Sequence, residues 1–565
     1  MFRNARLAGL VCSARRAGVV SARTSRAMRL TGGSRGLSGL HSNVNITLKQ
    51  IEATVPKFAV DKGQIQVLYD PEEFYDQLKQ KILAAKERVF LSTLYVGKEE
   101  TELVSCLDEA LTKNPGLKVS VLIDGLRGTR EEPETCSASL LASLLHNHGD
   151  RVDIRCYITP HLFGLKKQLI PKRFNEGWGL QHMKLYGCDD DIILSGANLS
   201  RDYFTNRQDR YFVFKSRPIV DYYHAIHNAV CRLSWRVALP KPAEKAPEPG
   251  KMAVFFKKQA ASIAKKILPE PEPVKDPGFV LEWPNNNTLQ SPNVSLAEFQ
   301  RQATASIAPL ITSKPVESGR RKVKSLAQRE TELEEAKNES ESTEPQTLVF
   351  PISQFTPLLK PDSSTEFPTL GRLLSMLSMQ RSSWTFTAGY FNMHPEFKAK
   401  LLGSVPDKGT VITASPQANG FYKSHGISQY LPDCYTLLAR QFILDVNKAH
   451  RQKEIELLEW QRGVVNTPGG WSYHAKGIWI NGPGDKLPSI TVVGSSNYTR
   501  RGYSKDLETN ALIVTTDEEL KRQLQQEIDH IERYTTKKSI TDYDQEDRQV
   551  KTWVKVVAYF IGDKL

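Results

Sequence analysis

Between residues 72 and 125 the apolar positions change rhythm. In EEFYDQLKQKILAAKE they fall at Phe74, Leu78, Ile82 and Leu83, the spacing of a helix with one buried face. VFLSTLYVG, from Val89, and VSVLIDG, from Val119, are short, apolar nearly throughout and bounded by glycine, as buried strands are. The second half repeats this order. PTLGRLLSMLSMQ reads as a helix, WTFTAGYFN as a strand with Tyr390 where the first half has Tyr95, and TVITASPQANG as the next strand. Strands alternating with helices predict parallel pairing, so the chain reads as a duplicated α/β unit.

The repeat is clearest where HMKLYGCDDDIILSGANLSRDYF in the first half answers HAKGIWINGPGDKLPSITVVGSSNYTRRGY in the second. Asn198, Ser200 and Arg201 match Asn497, Thr499 and Arg500. The second copy is seven residues longer between its histidine and its asparagine, and the turn-forming cluster Asn481 to Gly484 accommodates the extra length. Between the halves, Leu239 to Pro277 is rich in Pro, Lys and Glu, and Ser313 to Gln346 is charged and poor in apolar residues, so both read as flexible linkers. Within the first, Met252, Phe255, Phe256, Ile263 and Ile267 share one lysine-flanked face, which fits either an interfacial membrane helix or a helix packed between domains. The expected layout is a presequence over 1–45, a first domain over 46–238, linkers over 239–346 and a second domain over 347–565.

Charge narrows the partners. Of 565 residues 76 are basic and 63 acidic, a net charge of +13, which favours phospholipid, nucleotide or nucleic acid. The seven cysteines are scattered, odd in number and without C-x-x-C spacing, so neither a zinc site nor a disulfide framework is indicated. No apolar run approaches the ~20 residues that span a bilayer, and membrane attachment is expected to be peripheral. The first fifty residues are rich in Arg, Ser and Ala and hold no acidic residue before Glu52. That is the composition of a mitochondrial presequence, with a basic disordered tail as the alternative.

The chemistry lies in two H-x-K pairs, His182/Lys184 and His474/Lys476. On a strand the two side chains of H-x-K share a face. A histidine nitrogen there can attack phosphorus while the lysine neutralises the non-bridging oxygens. One histidine cannot easily serve as both nucleophile and leaving-group acid, so two copies are expected to form one centre. Asp189, five residues after Lys184, is expected to fix a histidine tautomer, with Asn198, Asn497 and Ser495 as phosphate-facing donors. Tyr95, Gly97 and Lys98 after the first strand, and Arg127 in GLRGTR, suggest a nucleotide or phosphate pocket, for ATP or the CMP moiety of a substrate, without full P-loop spacing. The basic stretch before His182, with Lys166, Lys167, Lys172 and Arg173, reads either as a headgroup or phosphate contact or as a solvated loop.

These residues resemble the H-x-K-x-x-x-x-D and G-S-x-N motifs of the phospholipase D superfamily. The first copy has His182, Lys184 and Asp189 but Ser195-Gly196-Ala197-Asn198 in place of G-S-x-N. The second has Gly494-Ser495-Ser496-Asn497 but Asn481 where the aspartate belongs, with Asp485 nearby. Within the superfamily QHMKLY, ILSGANLS, YFTNRQDRY, TAGYFN, YHAKGIW and GSSNYTRR are similar to the mitochondrial phosphatidylglycerophosphate synthases. The resemblance implies two tandem α/β domains, each a mostly parallel sheet flanked by helices, with the site at their interface. It also implies CDP-diacylglycerol and sn-glycerol 3-phosphate as substrates, His182 as nucleophile, His474 as acid and base, no required cofactor or metal and no nucleic acid partner. The expected location is peripheral, on the matrix face of the inner membrane. Two alternatives share the same residues: a mitochondrial phosphodiesterase of lipid or nucleic acid with water as acceptor, and a non-catalytic membrane-binding protein.

Overall fold

The computed structural model describes residues 40–130, 136–162, 175–240, 278–313 and 345–561, apart from 285, 286 and 288, together with Leu37. These belong to one unit, Gly36–Leu565. The amphipathic stretch from Met252 and the basic residues Lys166 to Arg173 lie outside the described residues, as does the expected presequence up to residue 36.

The expected elements form. The helix Pro71–Ala84 starts on a proline, whose missing N–H costs nothing in the first turn, with Glu72 and Glu73 where the helix dipole favours acids. It buries Phe74, Tyr75, Leu78 and Ile82, whereas Leu83 faces outward at 38 % exposure. The first-half strands are β1 (Arg88–Ser92), β2 (Lys118–Asp124), β3 (Val152–Tyr157), β4 (Leu185–Cys188), β5 (Asp191–Ser195) and β6 (Tyr211–Lys215). Their second-half counterparts are β7 (Ser383–Ala388), β8 (Lys408–Ala414), β9 (Ile455–Trp460), β10 (Lys476–Asn481), β11 (Ile490–Gly494) and β12 (Glu508–Thr515).

Each half builds a nine-stranded sheet, with the same central order: β3-β2-β1-β4-β5-β6 in one and β9-β8-β7-β10-β11-β12 in the other. Only β1, β2 and β3, and likewise β7, β8 and β9, run parallel. The strands that follow the H-x-K motifs, β4 directly after Lys184 and β10 opening on Lys476, pair antiparallel to both neighbours, so the histidines lie just outside the strands expected to hold them. Each sheet is thus mixed rather than mostly parallel, because the turns after Cys188 and Asn481 are too short to hold a crossover helix.

Three segments depart from the expected boundaries. Phe58–Val60 pairs with Thr347–Val349 at the edge of the second sheet, although it precedes the first-half strands. Residues 278–313, expected as linker, are folded. Val280–Glu282 pairs with Trp235–Ala238, and the helix Leu296–Ile311 buries Phe299, Ala303, Ile307 and Ile311. The helix Ser42–Glu52 overlaps the end of the expected presequence and buries Val44, Leu48 and Ile51 against Leu370 and Leu373.

The halves share a core. Leu194, Phe212 and Phe214 of the first sheet and Val493, Ala511 and Ile513 of the second belong to one buried cluster. The helices Arg217–Arg232 and Glu518–Glu532 join it through Ile219, Tyr223, Leu520 and Leu524. At its centre Arg210, fully buried, makes a two-pronged ion pair with Glu527, with Nε and Nη2 each within 2.9 Å of a carboxylate oxygen. Nη1 also donates to the Val492 carbonyl (2.7 Å), and the guanidinium lies 3.9 Å from the Trp479 ring centroid. A side chain at Gly477 would strike this guanidinium, which explains the glycine directly after Lys476.

Candidate active site

The two H-x-K motifs meet where the sheets face each other, and backbone pairing brings them together. His182 N–H donates to the Leu507 carbonyl (2.9 Å), and His474 N–H donates to the Gln208 carbonyl (2.8 Å). Each accepting residue immediately precedes a carboxylate, Glu508 or Asp209. His182 Nδ1 is therefore 2.8 Å from Glu508 Oε1, and His474 Nδ1 is 2.6 Å from Asp209 Oδ2. Each histidine is held by an acid of the other half. A carboxylate accepts the Nδ1 proton and leaves Nε2 as the reactive nitrogen.

This corrects the expected tautomer partner. Asp189 sits in the turn between β4 and β5 and accepts the N–H groups of Lys86 (2.8 Å), Glu87 (3.0 Å) and Arg88 (3.0 Å). The four-residue strand Leu185–Cys188 separates it from Lys184 and carries it to the far end of the sheet, away from the histidine. Asn481 and Asp485 do not take up the task either, since the Asn481 amide donates to the Asp485 carbonyl at the exposed hairpin end. Sequence reasoning missed Asp209 and Glu508, although each lies eleven residues after its motif asparagine.

Lys184 Nζ donates to the His182 carbonyl (2.7 Å). Lys476 Nζ lies 2.7 Å from His474 Nδ1 and 3.6 Å from Asp209 Oδ2. Because the single Nδ1 proton goes to Asp209, the lysine's ionic partner is that carboxylate. Ser495 donates to Glu508 Oε2. Its counterpart in the first copy is Gly196, where a Cβ would lie 2.6 Å from Asp209 Oδ1 and 2.7 Å from Lys476 Nζ, so the departure from G-S-x-N makes room for the lysine. Asn198 Nδ2 donates to Tyr203 Oη (3.1 Å), which lies 3.3 Å from His474 Nε2. His182 Nε2 has no hydrogen-bond partner among the described residues, and Asn497 Oδ1 is buried without one.

Burial shapes the protonation of every group. It lowers His182 and His474 well below the usual imidazole range, with the neighbouring lysines adding to the effect. It also brings Lys184 down to about 7 and pushes Glu508 up to about 7, the latter opposed by Lys184 and by the Ser495 hydrogen bond. Two buried lysines beside two neutral imidazoles, with Asp209 and Glu508 behind the rings, supply cationic donors suited to a phosphate diester or diphosphate.

Tyr95, Gly97, Lys98 and Arg127 come together in a cavity of about 190 Å³ that Ser200 and Arg201 line with the acids Glu99, Glu100 and Asp202. Arg127 lies 4.9 Å from the Tyr95 ring centroid, and a side chain at Gly97 would come within 2.7 Å of Glu100 Oε1.

Residues 385–532 match the family described as cardiolipin synthase, PLD-like domain. The chain is 45 % identical over 517 residues to the CDP-diacylglycerol--glycerol-3-phosphate 3-phosphatidyltransferase of Saccharomyces cerevisiae, covering 90 % of this chain and 89 % of that one. It is 31 % identical over 527 residues to the mitochondrial enzyme of the same name from Homo sapiens, covering 90 % and 84 %. The fold is also that of the crystal structure of phosphatidylserine synthase from Haemophilus influenzae, with a TM-score of 0.61 at 17 % identity over 93 % of this chain and all of that one. With the duplicated H-x-K centre at the interface of two like sheets, these similarities show that the chain belongs to the CDP-diacylglycerol--glycerol-3-phosphate 3-phosphatidyltransferase family of PLD-like proteins.

Proposed function

We propose that the chain transfers the phosphatidyl group of CDP-diacylglycerol to sn-glycerol 3-phosphate, releasing CMP, through a covalent phosphatidyl-histidine. The observation that carries the mechanism is the crossed pair of Nδ1 contacts, His182 to Glu508 and His474 to Asp209, which leaves two Nε2 atoms for one phosphorus. His182 Nε2 attacks the lipid-bearing phosphorus. The N–P bond forms as the bond to the CMP oxygen breaks, and His474 Nε2 gives that oxygen its proton. His474, now neutral, takes the proton of the acceptor's primary hydroxyl, whose oxygen displaces His182 to give phosphatidylglycerophosphate.

Three features support this division of labour. Tyr203 Oη is already within reach of His474 Nε2, whereas His182 Nε2 has no such partner. Lys184 and Lys476 supply the positive charge for the crowded oxyanions, and substrate phosphates returning negative charge to the pocket raise the histidine that must carry a proton. The cavity at Tyr95, Gly97, Lys98 and Arg127 is lined also by Ser200, two residues after Asn198, and its cations offer contacts for the nucleotide end of the donor.

We infer a mitochondrial location, peripheral on the matrix face of the inner membrane. The basic, acid-free leader and the relatives named as mitochondrial support the compartment. Among the described residues no helix is long and apolar enough to cross a membrane. Exposed Trp553 (47 %) and Val556 (53 %) on the C-terminal helix, beside exposed Lys551 and Lys555, suit contact with an anionic lipid surface.

The test is product analysis with labelled CDP-diacylglycerol. Phosphatidylglycerophosphate should form only with sn-glycerol 3-phosphate, and acid-labile, base-stable lipid label should be trapped on wild type and on His474→Ala but not on His182→Ala. CMP release that is indifferent to the acceptor and yields phosphatidic acid would make the chain a hydrolase instead.

A further inference from the structure

The two halves of the site are near-copies, so their differences in charge carry information that the shared motif does not. Four and nine residues after its motif asparagine the first half has Asp202 and Arg207, while the second half has Arg501 and Asp506. Both pairs are ion-paired, at 3.1 Å and 3.7 Å. Their order is inverted, and so is the member that points inward. The Arg207 side chain is 11 % exposed against 62 % for Asp202, and that of Asp506 is 9 % exposed against 24 % for Arg501. The more buried member is thus a guanidinium on the His474 side and a carboxylate on the His182 side, where Arg501 still lies near enough to lower His182.

Arg207 lies on the short strand Arg207–Gln208, which pairs in parallel with Ser472–Tyr473, the residues just before His474. Its Nε donates to Ser472 Oγ (2.8 Å) and its Nη2 to Asp202, while Nη1 has no hydrogen-bond partner among the described residues. The guanidinium lies 4.4 Å from the Tyr203 ring centroid. Tyr203 and Tyr390 both meet the His474 ring edge-on, with centroids 5.1 Å and 5.3 Å away. A Cβ at Gly420 would stand 3.1 Å from Arg207 Nη2 and 3.4 Å from Tyr390 Oη, so backbone closes the far side. Together these groups make a small basic recess walled by tyrosines beside the ring that serves the departing and arriving groups.

The reaction needs such a recess. Lys184 and Lys476 face the phosphorus being transferred, but CMP leaves with a phosphate monoester and the acceptor arrives with another. Both must pass on the His474 side, opposite the nucleophile. A guanidinium with a free N–H edge is the side chain best shaped for that group. Resting on the transferase reading above, we propose that Arg207, between Tyr203 and Tyr390, is a phosphate-monoester subsite used in turn by CMP and by the phosphate of sn-glycerol 3-phosphate.

Arg207→Ala and Arg207→Lys in the full chain test this, with sn-glycerol 3-phosphate and glycerol as acceptors and CMP as product inhibitor. Losing a charge-assisted bond should raise KM for sn-glycerol 3-phosphate about 10- to 100-fold in Arg207→Ala. Selectivity over glycerol should fall by a similar factor, the CMP inhibition constant should rise at least tenfold, and Arg207→Lys should fall between. Folding damage lowers turnover with both acceptors alike, so an unchanged acceptor ratio overturns the proposal. Weakened sn-glycerol 3-phosphate binding with unaltered CMP inhibition overturns the shared use. If wild type makes no phosphatidylglycerophosphate, the transferase reading is what fails, and CMP inhibition alone then decides the subsite.

Discussion

Asp189, which the motif spacing offers to a histidine, and Glu508, which only the folded structure brings to one, do opposite work in their surroundings. Burial tends to raise the Asp189 carboxyl, but the N–H groups of Arg88, Lys86 and Glu87 outweigh it and hold the group below the usual range, as suits a turn lock. Asp189→Asn should cost about 1–3 kcal/mol in urea unfolding with kcat/KM nearly intact. Glu508→Gln should keep the fold while lowering kcat about 10²- to 10⁴-fold, because the amide cannot hold the Nδ1 proton as a carboxylate does. Lys184 adds a pH signature. Its ammonium titrates at about 7 because burial opposes the charge, against roughly 10.4 for a free lysine. The cation is the useful form, so kcat/KM should be lost as pH rises through about 7. Lys184→Arg, which stays charged, should remove that alkaline limb even at a lower maximal rate, as a pH profile of the two proteins would show. The histidines and lysines were legible because the motif repeats. Their acids were not, because a side chain supplied across an interface leaves no mark in local spacing beyond the matched eleven-residue offset of Asp209 and Glu508.

At the scale of the element, the apolar runs from Val89, Val119, Trp384 and Thr410 gave strands and the helix period gave Pro71–Ala84. Strand direction was not legible, since an apolar run looks the same whichever way its neighbour points. The folded piece 278–313 was hidden because its strand is short and its helix follows a Pro- and Asn-rich stretch. The helix Glu366–Met376 shows a further case. It opens on a buried glutamate whose Oε1 accepts from Tyr503 Oη (3.1 Å), next to the strand that carries Glu508. Burial, reinforced by the charge of Glu508, pushes Glu366 up to about 8. The folded state thus keeps a proton that the unfolded chain releases above about 4.3. Stability is full below that value and falls as pH rises toward about 8. Glu366→Gln copies the neutral form, so it should gain a few kcal/mol over wild type at pH 8 and nothing at pH 4.5, measured as urea midpoints at both pH values.

For the whole molecule, the question is why two halves that each bury a sheet stay in register closely enough for crossed acids to find their histidines. Arg210 supplies one answer. It comes from the first half, but its partners Glu527, Thr491 and the Val492 carbonyl are all in the second, and its own N–H donates to Asp209 Oδ1 (2.9 Å). The residue that ties the sheets together is therefore bonded to the carboxylate that positions His474. Removing one partner of a buried ion pair strands the other charge, so Arg210→Ala should lose about 3–5 kcal/mol. Replacing both partners with apolar side chains, Arg210→Met with Glu527→Leu, should recover most of that stability, because the desolvation cost of both ions disappears together. Activity should not recover with it. The apolar pair fills the core but does not fix the sheet register, and Asp209 loses the neighbour that anchors its strand. Urea unfolding and turnover measured on the single and double variants would separate the two effects, and a double variant restored in both stability and rate would show that burial alone aligns the halves.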